Sequence, residues 1–461
     1  MHTESLTPLA LSRLASCGEG RLVGEDRSFD AISTDSRSLA PGSLFAALRG
    51  DRFDGHEFAS AAAERGACGL LVERELPIAL PQVVVSDTLR ALTACARAQR
   101  RRFSGPVIGV TGSNGKTTTK EMIGAILCRI GPCLITKGNL NNHIGVPLTV
   151  LGLREEHRYA VIEMGASHGG EIAHLASIAE PGVGLVTNAA AAHLEGFGSL
   201  EGVAAGKGEL FAALPPTGVA VVNADDRFAA SWRSTAAGRV VVTFGIDWPA
   251  EFTARDVRTS AGANGPTLEF DLVSPGGTGR VRLGLAGLHN LRNALAAAAA
   301  AAAVGAGVGD IVRGLEAVKA VKGRLEFRPA LNGALLVDDS YNANPASIRA
   351  GLEAFQTFPG ARWLVLGDMM ELGPSSAELH AEVGRYARAS GVSRLLACGP
   401  ESRAAVDAFG EGGSWFADTD GLITEARRGL TKDVAVLVKG SRVNRLERVT
   451  AALARADGEV S

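Results

Sequence analysis

The chain has 461 residues, a length that predicts two to four domains. Hydrophobic residues make up 46% and charged residues 21% of the sequence, the balance of an ordinary globular protein. The formal net charge of −2 excludes a strong field that would attract nucleic acid or an anionic membrane, so neither partner is expected.

The cysteines and the apolar stretches set two further limits. The six cysteines lack CxxC spacing, which argues against a zinc site or a disulfide framework and favours a reducing compartment. The first residues lack the basic and apolar regions of a signal peptide. The longest apolar stretch, residues 294–304, is too short to span a bilayer and predicts a buried alanine-rich helix. We therefore expect a cytoplasmic protein that does not insert into a membrane.

The first block, residues 1–103, alternates short apolar runs with helical stretches and predicts a small α/β domain. Strands are predicted at 43–48, 67–72 and 83–85, and a helix at 56–65. An arginine-rich helix end at 97–102 is followed by Ser-Gly-Pro, which indicates a linker.

The second block, residues 104–324, predicts a mainly parallel sheet with helices on both faces. Its predicted buried strands are 106–110, 159–164, 183–187, 219–223 and 240–244. Residues 267–273 and 280–285 alternate apolar with polar or small residues around Pro-Gly-Gly, which predicts an antiparallel hairpin.

The third block, residues 325–461, predicts a second doubly wound, Rossmann-like domain that lacks the GxGxxG dinucleotide pattern. Its strands are predicted at 334–338, 363–367, 395–398 and 435–439, with helices at 378–389 and from Asn444 onward. The predicted fold class is therefore α/β, with a small N-terminal domain, a central phosphate-loop domain and a C-terminal Rossmann-like domain.

The strongest local signal is the run GVTGSNGKTTT at residues 109–119, where a predicted strand meets a glycine turn and a helix. Backbone N–H groups of such a loop converge on phosphate oxygens, and the positive end of the helix dipole adds to their attraction. The run matches a shortened phosphate loop, because Val110 stands where the longer pattern requires glycine. The predicted ATP ligands of this loop are Gly112, Ser113, Asn114, Gly115, Lys116, Thr117 and Thr118.

Further motifs extend the pattern over residues 30–450: GNLNNHIGVPLT, IEMGAS, AHLEGFGS, GKGELF, GLHNLRNALAA, KGRLEF, DDSYNANPAS, LGDMMELG and VKGSR. Together with the phosphate loop, this set resembles the Mur ligases of bacterial peptidoglycan synthesis. DDSYNANP, LGDMMELG and KGSR resemble the member that adds D-alanyl-D-alanine, and the DNPR motif typical of a diaminopimelate-adding member is absent from the sequence. The resemblance implies that ATP phosphorylates the carboxylate of UDP-N-acetylmuramoyl-tripeptide and that the dipeptide amine displaces the phosphate, giving the pentapeptide.

The resemblance also implies a set of catalytic residues and metal ions whose positive charge binds two anions, the triphosphate and the substrate carboxylate. Lys116 would bind the β- and γ-phosphates and Arg324 the γ-phosphate, while Glu163 would be an acidic Mg²⁺ ligand at a strand end. His193 would ligate a second Mg²⁺, although the Ala-Ala pair before it departs from the commoner family spelling. Lys207, carbamylated by CO₂, would join Thr117 and these residues in holding the metal.

Two asparagines and an aspartate complete the implied ATP site. Asn290 and Asn293 share one face of a predicted helix and would contact adenine, with Asn290 as the helix N-cap left open as an alternative. Asp339 would bind the ribose. Because Arg324 and Asp339 stand at or beyond the join of blocks two and three, ATP would lie between two domains that close over it.

The remaining candidates belong to the two other substrates. The implied dipeptide-binding residues are Tyr341, Asn342, Asn344, Lys439, Ser441 and Arg442. The implied residues for the uridine nucleotide and muramoyl peptide are Ser33, Asp35, Ser36, Arg37, Asn139 and Asn142. Leu446 stands where the family usually has methionine, a change that keeps apolar volume.

Two alternatives remain open from the sequence. One is a Mur-type ligase that adds a single amino acid, and the other is a P-loop NTPase that uses hydrolysis as a switch. Glu163, His193 and Lys207 discriminate against the switch, which needs neither a carbamylated lysine nor a carboxylate acceptor. We expect the chain to act as a monomer.

Overall fold

A computed structural model describes residues 9–50, 53–262, 265–356 and 358–455. It has the predicted mixed α/β architecture in three successive regions. The first eight residues, on which part of the expectation about a signal peptide depends, lie outside the described ranges. Within those ranges no helix combines the length and apolarity needed to cross a bilayer.

The N-terminal region is built on a five-stranded sheet in the order β2-β9-β8-β5-β4. Its strands are β1 (Leu9–Ala10), β2 (Arg21–Val23), β3 (Ser28–Phe29), β4 (Ile32–Ser33), β5 (Leu44–Ala46), β6 (Arg49–Gly50), β7 (Phe53–Asp54), β8 (Gly69–Val72) and β9 (Gln82–Val84). The helices are α1 (Leu11–Cys17), α2 (Ala59–Glu64) and α3 (Thr88–Arg102), with a 3-10 turn at Gly55–Phe58. The central strands β5 and β8 are buried along their whole length, as continuous apolar runs in a covered parallel sheet should be.

The central region contains a parallel six-stranded sheet in the order β11-β12-β10-β13-β14-β15. Its strands are β10 (Val107–Thr111), β11 (Cys133–Ile135), β12 (Tyr159–Glu163), β13 (Val183–Val186), β14 (Val219–Asn223), β15 (Val240–Phe244), β16 (Thr253–Gly262), β17 (Gly265–Ser274) and β18 (Gly277–Leu283). Its helices are α4 (Lys116–Leu127), α5 (Gly145–Leu151), α6 (Glu171–Ala179), α7 (Leu194–Phe197), α8 (Leu200–Ala212), α9 (Ala229–Thr235), α10 (Leu288–Ala302) and α11 (Val308–Glu316).

One sequence prediction for this region is confirmed, and a second is incomplete. The alanine-rich stretch forms α10, whose residues 294–301 are all buried and which packs on α4. The predicted hairpin is the β17–β18 pair, but it belongs to a three-stranded antiparallel sheet whose third strand, β16, was not predicted.

The C-terminal region contains a six-stranded sheet in the order β19-β20-β24-β21-β22-β23, with β19 antiparallel to the rest. Its strands are β19 (Glu326–Pro329), β20 (Leu335–Asp339), β21 (Ala361–Gly367), β22 (Arg394–Cys398), β23 (Gly413–Phe416) and β24 (Val434–Lys439). Its helices are α12 (Pro345–Phe355), α13 (Ser376–Ala389), α14 (Arg403–Phe409), α15 (Thr419–Gly429) and α16 (Glu447–Leu453), with 3-10 turns at Leu331–Gly333, Gly373–Ser375 and Arg442–Asn444. The last α-helix therefore begins at Glu447, whereas the sequence predicted its start at Asn444.

The topology places candidate site residues at the carboxyl ends of neighbouring strands in two sheets. In the central sheet β12, β10 and β13 are neighbours, so the residues at their carboxyl ends meet at one edge. In the C-terminal sheet β20 and β24 are neighbours and end together at Asp339 and Lys439. Residues from both edges line one cavity of about 690 Å³.

Candidate active site

The phosphate loop lies between β10 and α4, as predicted, and two of its glycines are required by close contacts. Gly112 has φ +138° and Gly115 has φ +81°, backbone conformations that favour glycine. A Cβ atom on Gly112 would lie 2.0 Å from Thr187 Oγ1, and one on Gly115 would lie 2.3 Å from Asn293 Oδ1. The loop therefore packs directly on the carboxyl end of β13 and on α10.

Lys116 begins α4, and its ammonium turns back over the loop. Nζ donates hydrogen bonds to the carbonyl oxygens of Gly112 at 2.6 Å and Ser113 at 3.2 Å. Burial lowers the pKa of Lys116 to about 8, with Glu163 opposing the shift and Arg324 adding to it. The ammonium is thus held where phosphate oxygens at the loop would meet it.

Two strand-end residues fix the rest of the loop. Thr187 Oγ1 donates to the Asn114 carbonyl at 2.6 Å. Asn188 Oδ1 accepts from the Asn114 N–H at 3.0 Å, and Asn188 Nδ2 donates to the Asn114 carbonyl at 3.1 Å. Ser113 Oγ donates to the Ala190 carbonyl at 3.2 Å, and Thr118 is buried. Thr187 and Asn188 were not predicted as site residues, although the predicted end of the β13 strand was a signal for them.

Glu163 ends β12 as a buried carboxylate with one free oxygen. Oε1 accepts from Asn141 Nδ2 at 2.8 Å and from Thr117 Oγ1 at 3.3 Å. Oε2 is buried and has no hydrogen-bond partner. A buried carboxylate oxygen without a hydrogen bond, beside a phosphate loop, fits a hard cation such as Mg²⁺.

Asn141 was not predicted from the sequence, which instead pointed to its neighbours Asn139 and Asn142. Both of these line the cavity, Asn139 as an exposed residue. Asn142 Oδ1 accepts from the backbone N–H groups of Ile144 at 3.2 Å and Gly145 at 2.9 Å, so it bonds the backbone where α5 begins. Three asparagines close together in the sequence gave no signal for which one reaches Glu163.

His193 and Lys207 lie on the α7–α8 side of the cavity. His193 adopts a left-handed conformation (φ +55°) before α7, and its Nδ1 contacts Glu371 of the C-terminal region and Ser167 Oγ at 3.3 Å. Burial lowers the pKa of His193, against the opposing effect of Glu371. Glu371 lies within the LGDMMELG motif but was not predicted as a site residue.

Lys207 is fully enclosed in the middle of α8, with 1% of its surface exposed. Nζ donates to the Ala166 carbonyl at 2.9 Å and lies 4.8 Å from the centre of the Phe197 ring. Burial, together with the nearby charge of Lys116, lowers the pKa of Lys207 to about 7. The side chain lies behind Ala166, a residue of the cavity wall.

The two predicted adenine residues lie on α10 and line the cavity. Asn293 Nδ2 donates to Asn290 Oδ1 at 3.2 Å, and Asn290 Nδ2 donates to the Ala286 carbonyl at 2.8 Å. The alternative of Asn290 as helix N-cap is wrong, because Gly287 occupies that position and Asn290 lies within the first turn. The preceding His289 also lines the cavity.

The C-terminal region, with Arg324 immediately before it, contributes one wall of the cavity and touches the phosphate loop. Arg324 Nη2 donates to Thr117 Oγ1 at 3.3 Å, and its guanidinium stacks 4.2 Å from the Tyr341 ring centre. Asn344 caps α12 and also donates to Asn114 Oδ1 at 2.7 Å. These contacts join the two regions across the cavity.

Asp339 and Lys439 form a buried ion pair at the adjoining ends of β20 and β24. Lys439 Nζ donates to Asp339 Oδ2 at 2.5 Å and to the Asn342 carbonyl at 3.1 Å. Burial raises the pKa of Asp339, and Lys439 opposes that shift. Both residues line the cavity, as do Tyr341, Asn342 and Asn344.

The other predicted residues are not among those that line this cavity. Ser441 is buried and its Oγ accepts from the Met370 N–H at 3.0 Å, while Arg442 is exposed above Tyr341.

In the N-terminal region Asp35 holds Arg37 through bonds of 2.8 and 2.9 Å, which lower the pKa of Asp35 to about 2. Ser33 Oγ donates to the Asp35 carbonyl, and Ser36 is buried in the same loop. Roles for these residues remain predictions.

Comparisons with known proteins identify relatives over almost the whole chain. Three family models match: the Mur ligase family catalytic domain at residues 28–103, the Mur ligase middle domain at 110–301 and the Mur ligase glutamate ligase domain at 323–442. The chain is 46% identical to UDP-N-acetylmuramoyl-tripeptide–D-alanyl-D-alanine ligase of Escherichia coli K12, over 96% of this chain and 98% of that protein.

Solved structures agree with this similarity. A MurF crystal structure from Acinetobacter baumannii superposes with a TM-score of 0.87 at 36% identity, covering 97% of this chain and 99% of that chain. The structure of MurF ligase from Thermotoga maritima in complex with ADP gives a TM-score of 0.78 at 30% identity, covering 92% and 96%.

Proposed function

This chain belongs to the Mur ligase family, and from that membership we infer that it is an ATP-dependent ligase of peptidoglycan precursor synthesis. It joins D-alanyl-D-alanine to UDP-N-acetylmuramoyl-tripeptide. The observation that carries this conclusion is the match over 96% of the chain to a ligase of that specificity. The cavity between the central and C-terminal regions supports it, since cationic groups from both regions line the same cavity as a phosphate loop.

The chemistry requires two anions, a triphosphate and a carboxylate, to approach each other. A tripeptide carboxylate oxygen bonds to the γ-phosphorus of ATP as the bond to ADP breaks, giving an acyl phosphate. The dipeptide amine then attacks the acyl carbon, loses a proton, and phosphate leaves as the amide bond forms. Lys116 and Arg324 contact the loop at Gly112 and Thr117. From these positions they would lower the repulsion between the anions by binding phosphate oxygens. Enclosure between two domains excludes water, which would otherwise hydrolyse the acyl phosphate.

The donor set beside the phosphate loop fits Mg²⁺. The buried Oε2 of Glu163 supports this, because such an oxygen is costly to leave without a hydrogen bond or a ligand. Thr117, Glu163, His193 and, as a carbamate, Lys207 are the residues that would hold magnesium at two sites. When bound, the metal would neutralise phosphate charge.

Carbamylation of Lys207 is supported by its environment. The reaction forms a bond between a neutral amine and CO₂ and releases a proton. A pKa near 7 leaves a large share of the amine neutral at physiological pH, unlike an exposed lysine. A K207A variant should lose most activity, and a short carboxylic acid should restore part of it. Full activity of K207A would contradict the assignment.

The other substrate assignments follow from the cavity lining and the family motifs. We assign adenine to Asn290 and Asn293, whose amides match its donor and acceptor edge, and ribose to Asp339. The dipeptide is assigned to Tyr341, Asn342, Asn344, Lys439, Ser441 and Arg442. The UDP-muramoyl part is assigned to Ser33, Asp35, Ser36, Arg37, Asn139 and Asn142. We further propose a monomer that acts in the cytoplasm, where ATP and nucleotide precursors are available.

Phosphate release measured with UDP-N-acetylmuramoyl-tripeptide and ATP, with and without D-alanyl-D-alanine, tests the function. Release should require all three substrates. A single amino acid supplied instead of the dipeptide is the matched control, and release driven by it would assign the chain to a sister ligase. Release with ATP alone would favour a nucleotide switch.

A further inference from the structure

Lys120 is a buried cation that the reaction described above leaves without a role. It lies on α4, one turn beyond Lys116, and has none of its surface exposed. Its Nζ donates to the Thr136 carbonyl at 2.7 Å and forms an ion pair with Glu121 Oε1 at 2.9 Å. A lysine is rarely buried so completely unless its charge is balanced nearby.

The second anion beside Lys120 is Glu163. Lys120 Nζ lies 3.7 Å from Glu163 Oε2, the oxygen that has no hydrogen-bond partner. That separation is within reach of a charge–charge interaction but is too long for a hydrogen bond. Lys120 therefore balances the charge of the carboxylate and leaves the lone pairs of Oε2 free.

Thr136 connects the same two residues through the backbone. Its carbonyl accepts from Lys120, and its Oγ1 accepts from the backbone N–H of Glu163 at 3.0 Å. On the other side Asn141 and Thr117 bond Oε1. The carboxylate is thus fixed on one oxygen and compensated at the other.

We propose that Lys120 is a positioning residue for the metal site, which keeps the Glu163 carboxylate in place with Oε2 available to a divalent cation. The proposal rests on the assignment of Glu163 as a Mg²⁺ ligand. Lysine fits this position because a compact ammonium on a flexible stem reaches between Thr136, Glu121 and Glu163 without the width of a guanidinium. That choice stands out in a chain with eight lysines and 39 arginines.

Calorimetric titration of ADP into the full-length protein, with and without Mg²⁺, tests the proposal. In wild type Mg²⁺ should tighten ADP binding. In K120M the tightening by Mg²⁺ should fall about tenfold, the usual effect of removing a group that orients a metal ligand, while metal-free ADP affinity stays unchanged. K120Q, which retains a donor for Thr136 but no charge, is a second variant should K120M fail to fold.

A double-mutant cycle with E163Q separates a positioning role from a structural one. If Lys120 acts through Glu163, K120M should cause no further loss of the Mg²⁺ effect in the E163Q background. K432M makes the same chemical change at an exposed lysine and should match wild type. A folded K120M or K120Q with a wild-type Mg²⁺ effect, or one that weakens ADP binding equally with and without metal, overturns the proposal. Absence of any Mg²⁺ effect in wild type overturns the metal assignment itself.

Discussion

His289 is a histidine that its surroundings keep neutral. It lies in the first turn of α10 and lines the cavity beside Asn290. Burial, together with the charges of Lys439 and Arg292, lowers the pKa of His289 from 6.5 to about 4. A protonated ring would lose its hydration, and it would also be repelled by both neighbours because both carry positive charge.

This shift predicts a loss of stability in mild acid. Between pH 6.5 and about 4 the unfolded chain binds a proton at His289 that the native protein does not, so the free energy of unfolding falls as pH decreases through this window. Relative to H289Q, wild type should lose up to about 3 kcal/mol between pH 7 and pH 4. Urea denaturation of both proteins over this range measures the difference. Parallel pH profiles would rule out His289 as the source.

At the scale of single residues, the sequence predicts features that depend on residues close together in the chain. The phosphate loop is fixed by consecutive residues, and α4 begins at Lys116 as expected. By contrast, nothing in GNLNNH distinguishes Asn141 from the other asparagines, because the path of the loop decides which amide reaches Glu163. Glu371 was missed for a related reason: its partner His193 is 178 positions away in the chain.

At the scale of elements, the pairing of β20 with β24 creates the Asp339–Lys439 ion pair. The two strands are parallel neighbours in register at these residues. Both side chains are largely buried, with 15% and 3% of their surfaces exposed. The strand edge thus brings a carboxylate and an ammonium together without solvent to weaken their attraction.

Replacing one partner of this ion pair should lower the free energy of unfolding more than replacing both partners. K439M leaves the Asp339 carboxylate buried and unpaired, and we expect a loss of about 3 kcal/mol in the unfolding of the C-terminal region. D339N/K439M removes both charges and should recover at least half of that loss. Urea denaturation followed by tryptophan fluorescence measures K439M, D339N and the double variant. Strict additivity of the single changes would show that the pair is not coupled.

The packing of helix α8 explains why glycines, which disfavour helices, flank Lys207 within it. A Cβ atom on Gly206 would lie 2.4 Å from the Phe197 ring, and one on Gly208 would lie 3.2 Å from Trp232. The helix therefore gives up helix propensity so that two aromatic rings can pack against it, one of them over the Lys207 amine.

The two glycines form a matched pair for testing this packing. G206A forces a methyl group against the Phe197 ring, and we expect a destabilisation of about 1 to 3 kcal/mol that outweighs the gain in helix propensity. At Gly208 the nearest atom, on Trp232, lies 3.2 Å away and would need to move by only a few tenths of an ångström, so we expect G208A to lie within about 1 kcal/mol of wild type. Thermal denaturation of both variants measures the difference. Equal stability of the two would contradict the packing argument.

Strands that form long apolar runs could be predicted, whereas a strand rich in polar residues and the start of the last helix could not. The five central strands predicted from apolar runs are present as β10, β12, β13, β14 and β15. Strand β16 was missed because its arginines, serine and threonines carry no clear alternation. At the C-terminus, the turn Arg442–Asn444 intervenes before α16 because Arg445 adopts a left-handed conformation, φ +50°, that interrupts the helix.

At the scale of the whole molecule, the regions are joined in two different ways. The N-terminal and central regions share one hydrophobic cluster, which runs from Leu14 and Leu92 to Val107 and Ile162. Arg100 adds hydrogen bonds to carbonyls at the end of α6 and just after it. The C-terminal region has one hydrophobic cluster of its own and a second that includes Ala286 of the central region. The two regions also meet through polar contacts around the cavity, made by Arg324, Asn344 and Glu371. The first junction is therefore a packed core, whereas the second combines a small apolar contact with polar contacts around the cavity.

Glu371 is the C-terminal contact that can be removed without altering the phosphate loop. Its carboxylate contacts His193 Nδ1, and its carbonyl accepts from the Glu195 N–H at 3.3 Å. Losing the carboxylate contact in E371A should weaken the closed arrangement by about 1 kcal/mol, a shift of about fivefold towards open molecules. Small-angle scattering of the nucleotide-free protein should then give a larger radius of gyration. E378A, which removes an exposed carboxylate of the same region, is the control, and identical scattering of the two variants would exclude a latch at Glu371.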